Sequence, residues 1–337
     1  MQFRIQTEPG RQSFSAEESQ TILEAALAAG LLLPYGCRDG ACGACKARVI
    51  EGEVEHGKAS DNALPAQERA AGKALLCQAH PRSDLIIEVR TLGKTGDIQP
   101  KKLPCRVESL EKVASDVMII KVKMPASENF RFRAGQYVDF LLSDGRRRSF
   151  SIANAPEDNA QLEFHVRRVD GGSFTSHVFD TMKPREILRM EGPLGTFFIR
   201  EDSARPAVLV AGGTGFAPIK SIVEHAIANR SVRPLLLYWG ARTREGLYMD
   251  ALARDWESVL PNFRYIPVLS DALADDAWDG RTGLVHEAVM QDLPDLSGHE
   301  VYACGAPAMI DAARSDFMTN CRLAEEAFFA DAFTFAS

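Results

Sequence analysis

Residues 37–45 read CRDGACGAC, three thiols in nine positions, and a fourth, Cys77, follows far downstream. The spacing Cys37-x4-Cys42-x2-Cys45 with one distant partner is that of thiolate ligands to a [2Fe-2S] cluster. Four thiolates must converge on two irons. Gly36, Gly40, Ala41, Gly43 and Ala44 let the loop fold that tightly, because glycine tolerates positive φ and small side chains leave room. A structural zinc site and a set of unrelated buried thiols are the alternatives. Zinc usually takes two compact ligand pairs, whereas here three candidates share one loop. Cys105 and Cys321 have no ligand-like spacing and read as small hydrophobes. The total of seven cysteines is odd, a poor basis for a fully paired disulfide framework.

A chain of 337 residues exceeds what one hydrophobic core usually serves, so two or three domains are expected. A net charge of -7 gives no electrostatic reason to bind nucleic acid or an anionic membrane surface. The start, MQFRIQTEPG, alternates like a strand and lacks the apolar core of a signal peptide, and no apolar run approaches the roughly 20 residues that span a bilayer. The cytoplasm is the expected location. Around the cysteine loop, FRIQ (3–6) and KARVIEGEV (46–54) alternate as strands, and TILEAALAAG (21–30) has helical periodicity and stops at a glycine. With these elements, residues 1–92 resemble a plant-type ferredoxin, which implies a β-grasp fold with LIIEV (85–89) as its closing strand.

TLGKTGDIQPKKLP (91–104) is rich in glycine, proline and lysine with no apolar period, and its centre, 93–102, reads as a linker. Six strand-like runs follow at short spacing: CRVESLEKV, DVMIIKVKM, GQYVDFLL, RRSFSIAN, LEFHVRRV and ILRMEGPLGTFFI. They predict an antiparallel β-barrel over 103–203. Within it, RSFS at 148–151 resembles the Arg-x-Tyr-Ser flavin motif of the ferredoxin reductase superfamily. The resemblance implies that Arg148 binds a flavin phosphate while Phe150 and Ser151 line the ring. Phe150 stands where tyrosine is usual, keeping an aromatic face without a hydroxyl. GGSFTSHVF (171–179) resembles the second phosphate-binding segment of that superfamily, with Gly172 and Thr175 as contacts at a helix N-terminus.

From PAVLVA (206–211) onward the period changes to strand, glycine turn and helix, and GLVHEAVM, EVYACG and PAMIDAARSDFM repeat the alternation. Residues 204–337 therefore read as an α/β, Rossmann-like domain. A phosphoryl-transfer loop needs glycine directly before its lysine, but Ile219 precedes Lys220. The common dinucleotide fingerprint needs a third small residue where Pro218 stands. GGTGFAP (212–218) instead resembles the nicotinamide-binding turn of ferredoxin reductase relatives, and YACGAP (302–307) their Cys-Gly-x-Pro segment. That resemblance implies pyrophosphate contacts from Gly212, Gly213, Thr214 and Gly215, a turn shaped by Pro218, and Cys304 and Gly305 near the nicotinamide. FFADAF (328–333) resembles the family's C-terminal segment, which implies Phe333, and with it Asp331, beside the flavin. Ordinary core packing of these aromatics is the competing reading.

The order ferredoxin, flavin barrel, nicotinamide domain resembles the reductase components of bacterial ring-hydroxylating oxygenases, and most closely the CDP-6-deoxy-Δ3,4-glucoseen reductase type. The expected cofactors are a [2Fe-2S] cluster, FAD and NADH, with NADPH possible. Hydride chemistry would involve Ser151 and Cys304, and single electrons would leave through the cluster to an electron-accepting protein, an iron–sulfur dehydratase or an oxygenase component. Competing readings are a non-catalytic electron-carrier module and a reductase of small molecules such as quinones. Arg242 and Arg244, after the strand LLLYWG (235–240), favour a 2′-phosphate locally, with Glu245 available to neutralise Arg244 or meet the ribose, whereas the family resemblance favours NADH.

Overall fold

The computed structural model describes residues 1–93, 96 and 98–334. Lys94, Thr95 and Asp97 of the expected linker, and positions 335–337 of the expected last domain, lie outside the described residues. The chain forms two compact units, one from Met1–Gln99 and the other from Pro100–Phe333.

The first unit is a five-stranded sheet in the order Ser13–Glu17, Gln2–Glu8, Leu85–Glu88, Lys46–Glu51, Lys73–Leu75. The late strand Leu85–Glu88 is the centre of the sheet and runs parallel to Gln2–Glu8, with Ile5 opposite Leu85. Helix Ile22–Ala28 packs Ile22, Leu23, Ala25 and Ala26 inward. Its T-x-x-E start works as a reciprocal cap: the Glu24 N–H donates to Thr21 Oγ1 at 3.2 Å and the Thr21 N–H to Glu24 at 3.0 Å.

The second unit opens with the strand Lys101–Ala114, which begins inside the stretch that composition marks as linker. Leu103, Cys105 and Val107 are buried while their neighbours Lys102, Pro104 and Arg106 are exposed, so the period-two signal was present but masked by lysines and a proline. The barrel order is Arg147–Ser151, Tyr137–Leu141, Ile187–Leu194, Lys101–Ala114, Val117–Lys123, Leu162–Arg167. A bridge between Ile152 and Phe164 joins the two ends. The nicotinamide half is a parallel sheet in the order Arg281–Thr282, Phe263–Leu269, Leu235–Ala241, Ala207–Gly212, Glu300–Gly305, Phe328–Ala332. Ala207, Leu209 and Ala211 enter one core and Val208 and Val210 another. Both faces are covered, which is why PAVLVA is apolar without alternation. The chain leaves Ala207–Gly212 toward one edge and returns on its other side as Glu300–Gly305, so a topological switch point lies between these strands.

Candidate functional site

Within the first unit the four thiols come together in two pairs. The Cys37 N–H donates to Cys42 Sγ at 3.3 Å, and the Asp39 N–H donates to Cys37 Sγ at 3.4 Å. The hydrogen bond from Cys42 brings the Cys37 thiol down to about 6, and Cys37 in turn pushes Cys42 up. Cys45 and Cys77 repeat the pattern: Cys45 holds Cys77 below its usual range, with the Gln78 side chain acting in the same direction, and Cys77 raises Cys45. Among the described residues no three His, Cys, Asp or Glu side chains are arranged around a single ion. Two thiol pairs with backbone amides aimed at sulfur fit a two-iron centre, with two ligands per iron, better than one zinc.

On the barrel, Arg148 and Phe150 share one face of the strand Arg147–Ser151, and Ser151 lies on the other. Arg148 donates to the Arg147 carbonyl at 2.8 Å, and its neighbour Arg146 donates to Ser173 Oγ at 3.0 Å. The basic run is thus tied to the first residue of helix Ser173–Asp180, whose N-cap is Gly172. Cationic side chains beside helix N-terminal amides suit a diphosphate. The Thr175 hydroxyl is turned inward: it accepts the Val169 N–H at 3.2 Å and lies 3.1 Å from the Gly172 carbonyl. Its contribution at this end is to hold the glycine turn. Phe150 rests on Phe140 and Phe174 with ring centroids 5.9 and 5.4 Å away and stays half-buried.

At the switch point, Gly213–Gly215 form one turn of 3₁₀ helix and lead directly into helix Phe216–Ala228. Pro218 lies inside that helix's first turn rather than in the glycine turn, where its missing N–H is harmless. Gly213 has φ +54, a conformation that favours glycine, and Gly305 has φ +151. Gly215 has an ordinary φ of -57, and what it needs is space. A Cβ there would lie 2.6 Å from the Cys304 carbonyl carbon and 3.0 Å from the Gly305 nitrogen. Backbone from the two segments therefore meets directly, leaving a glycine-lined cradle that suits a pyrophosphate. Thr214 is buried, and the Cys304 thiol is fully buried and pushed well up by that burial. Strand Phe328–Ala332 pairs Asp331 with Cys304, and Ser151 Oγ donates to Asp331 Oδ2 at 3.5 Å. The flavin-strand serine and the end of the nicotinamide sheet are thereby joined. Phe333 donates its N–H to the Gly305 carbonyl at 2.8 Å and packs, half-buried, on the sheet's core.

Residues 5–82 match the 2Fe-2S iron-sulfur cluster binding domain family, 104–199 the oxidoreductase FAD-binding domain and 209–315 the oxidoreductase NAD-binding domain. The chain is 43% identical over 333 residues to the CDP-6-deoxy-L-threo-D-glycero-4-hexulose-3-dehydrase reductase of Yersinia pseudotuberculosis, covering 99% of both chains. It belongs to the ferredoxin-type iron–sulfur flavoprotein reductases. The reductase is also 36% identical to the terephthalate 1,2-dioxygenase reductase component 2 of Comamonas, covering 95% of this chain and 94% of that one. Among solved structures it resembles the Amycolatopsis cytochrome P450 reductase GcoB, with a TM-score of 0.81, 35% identity and coverage of 99% and 100%. It is an NAD(P)H-dependent oxidoreductase whose three domains serve a [2Fe-2S] cluster, FAD and a nicotinamide nucleotide.

Several side chains that build this region of the reductase carried no local sequence signal. Glu163, His165 and Arg167 alternate outward along the strand Leu162–Arg167, the pattern of a solvated barrel face. Helix Phe216–Ala228 covers them instead. Lys220 meets Glu163 at 3.1 Å and Glu224 at 2.8 Å, and Ser221 Oγ donates to the Asn154 carbonyl at 2.7 Å. His165 bonds Glu163 at 2.9 Å and Tyr248 at 2.8 Å, and the Arg167 guanidinium lies against Gly213. Burial alone would raise the Glu163 carboxyl, but His165 and Lys220 overcome it and hold it down to about 2. The Trp239 indole stacks on Phe216 at 3.8 Å and donates to the Gly213 carbonyl at 3.0 Å, pinning the turn from below. Glu245 Oε1 accepts the Ser115 N–H at 2.6 Å and ties this loop to the barrel, a contact its sequence position did not suggest. Arg242 pairs with Asp271 at 2.9 Å, and Arg244 donates to the Asp276 carbonyl at 2.9 Å. Among the described residues no helix is long and apolar enough to cross a membrane.

Proposed function

We propose that this reductase works in the cytoplasm, takes electrons from NADH, and delivers them singly to an iron–sulfur dehydratase acting on a CDP-linked 6-deoxyhexulose. When bound, NADH supplies a hydride, FAD receives its two electrons, and the [2Fe-2S] cluster carries them out one at a time. The observation that carries the hydride step is the Ser151–Asp331 hydrogen bond together with the register pair Asp331–Cys304. It brings a flavin-strand hydroxyl and the nicotinamide end of the parallel sheet to one place.

In this reading Arg148 and the N-terminus of helix Ser173–Asp180 hold the FAD phosphates, with Gly172 and Thr175 shaping that end. Phe150 and Phe333 offer aromatic faces, and Ser151 orients the ring edge. Gly212, Gly213, Thr214 and Gly215 seat the dinucleotide pyrophosphate, with Pro218 stiffening the helix start. Cys304 and Gly305 line the nicotinamide pocket, the buried neutral thiol excluding water. Cys37, Cys42, Cys45 and Cys77 hold the cluster. NADH is the preferred nucleotide in this reading, following the family resemblance: Asp271 pairs with Arg242 at the strand end, which makes that guanidinium less available to a 2′-phosphate.

The dehydratase partner rests on the 43% identity to the Yersinia reductase over nearly the whole of both chains, against 36% for the terephthalate dioxygenase component. Purified protein would be mixed with NADH and either the CDP-6-deoxyhexulose 3-dehydrase with its substrate or a ring-hydroxylating oxygenase with its aromatic substrate. NADH-dependent product formation with the dehydrase, at least tenfold faster than with the oxygenase, is expected. The reverse ranking assigns the chain to an oxygenase, the second reading, and turnover with neither rejects both partners.

A further inference from the structure

The residue after the fourth cysteine makes a contact that neither the ligand spacing nor the flavin chemistry requires. Gln78 Nε2 donates to the Arg38 carbonyl at 3.0 Å, across 40 positions of sequence. Arg38 is the residue after the first cysteine of the loop, and its φ is +64. A long side chain in that region is strained by about 1 kcal/mol or more, so something must hold it there. The peptide that follows Arg38 is fixed at both ends: its carbonyl accepts from Gln78, and its N–H, that of Asp39, points at Cys37 Sγ at 3.4 Å. Gln78 itself is anchored from behind, its N–H donating to the Leu75 carbonyl at 2.9 Å. Its side-chain stem is seated against Gly40, where an added Cβ would lie 2.7 Å from Gln78 Cγ.

We propose that Gln78 is a positioning residue for electron transfer, setting the reduction potential of the [2Fe-2S] cluster by orienting the Arg38–Asp39 peptide so that its N–H faces the Cys37 sulfur. The inference rests on the four cysteines being the ligands. One electron enters the cluster and no covalent bond forms or breaks, so the effect is electrostatic. An N–H dipole aimed at a ligand sulfur stabilises the added negative charge, and hydrogen bonds to sulfur are among the main determinants of such potentials. Without the clamp the peptide loses the bond from Gln78 that opposes its rotation out of the strained conformation. The N–H turns from the sulfur and the oxidised cluster is favoured.

The test is a potentiometric titration of the full-length protein followed by electron paramagnetic resonance, with iron and sulfide content measured on every sample. Gln78→Leu keeps the bulk and removes the donor from the Arg38 carbonyl and from Cys77 alike. At fixed ambient potential its reduced-to-oxidised ratio is expected to fall at least threefold, about 28 mV at 59 mV per tenfold for one electron, with altered g values. In an Arg38→Gly background, where φ +64 is unstrained, the same substitution should shift the ratio by less than half as much on the logarithmic scale. An equal shift in that background would assign the effect to Cys77 and overturn the peptide account. If the leucine variant fails to retain iron, Gln78→Asn, which keeps an amide one methylene short of reach, carries the same comparison. A purely structural brace would lower the melting temperature and leave potential and g values unmoved, and that result overturns the proposal. Wild-type protein that binds no iron and sulfide overturns the ligand assignment itself, a distinguishable failure.

Discussion

Gly215→Ala is the substitution whose effect the geometry fixes most tightly. The new Cβ would lie 2.6 Å from the Cys304 carbonyl carbon and nearer still to its oxygen, where carbon atoms in contact normally sit about 3.5–4.0 Å apart. Both partners are backbone, one opening helix Phe216–Ala228 and the other ending strand Glu300–Gly305, so neither can swing aside. The two segments must separate by about 1 Å, and a displacement of that size between reacting groups lowers rates on the order of 100-fold, about 2.7 kcal/mol in the barrier. The assay is rapid mixing of the FAD-loaded protein with NADH, following flavin bleaching. The expected result is hydride transfer slower by roughly two orders of magnitude, with FAD content and far-ultraviolet circular dichroism retained. Gly212→Ala is the control in the same turn: its Cβ meets the Met309 sulfur at 2.6 Å and Cε at 3.3 Å, a flexible thioether end that can move. At saturating NADH its hydride-transfer rate should fall no more than about threefold, well under 1 kcal/mol, with any effect on the pyrophosphate seat appearing as weaker nucleotide binding. A Gly215→Ala protein that bleaches its flavin at the wild-type rate would falsify the close-approach account.

Three further outcomes follow from the second unit. Lys220→Met leaves buried Glu163 and half-buried Glu224 without their shared cation, and urea unfolding should show a loss of about 3–5 kcal/mol; a loss under 1 kcal/mol would mean water reaches the site. Asp271→Ala frees Arg242, and steady-state kinetics should show kcat/KM for NADPH relative to NADH rising about tenfold, roughly 1.4 kcal/mol; an unchanged ratio removes Arg242 from nucleotide selection. Burial holds His165 below its ordinary value of 6.5, so the unfolded chain binds its proton first. The neutral ring's contribution is complete above about 6.5 and is lost as pH falls through the lower folded value. His56 and His299 are depressed in the same direction. His165→Asn should therefore reduce, without abolishing, the drop in melting temperature between pH 7 and pH 5, and an identical drop would exclude His165 as a contributor.

What could be read in the sequence was what the chain writes locally. The cysteine loop, the glycine turn and the capped helix Ile22–Ala28 each depend on residues within a few positions of one another. LIIEV was legible as a strand, but its central place depends on parallel pairing with Gln2–Glu8 from the other end of the unit, and no period encodes a partner. LEFHVRRV alternates as a half-solvated strand should, and only the helix laid across it turns Glu163 and His165 into buried groups. Glu245 bonds Ser115 from 130 positions away, and Gln78 reaches back 40 positions to Arg38. Contacts of that separation are decided by tertiary packing, which overrides what the local residue types suggest.

Trp239, held between Phe216 and the Gly213 carbonyl, has an optical consequence. Its indole touches the turn proposed to hold the dinucleotide while remaining fully shielded from water, so its emission should lie at the blue end of the tryptophan range. Small movements of the glycine turn would change both the stacking and the N–H bond that set its excited-state lifetime. Time-resolved fluorescence of a protein retaining Trp239 but carrying phenylalanine at Trp256 and Trp278 would then register nucleotide arrival as a change in lifetime, with no label attached and before any electron has moved.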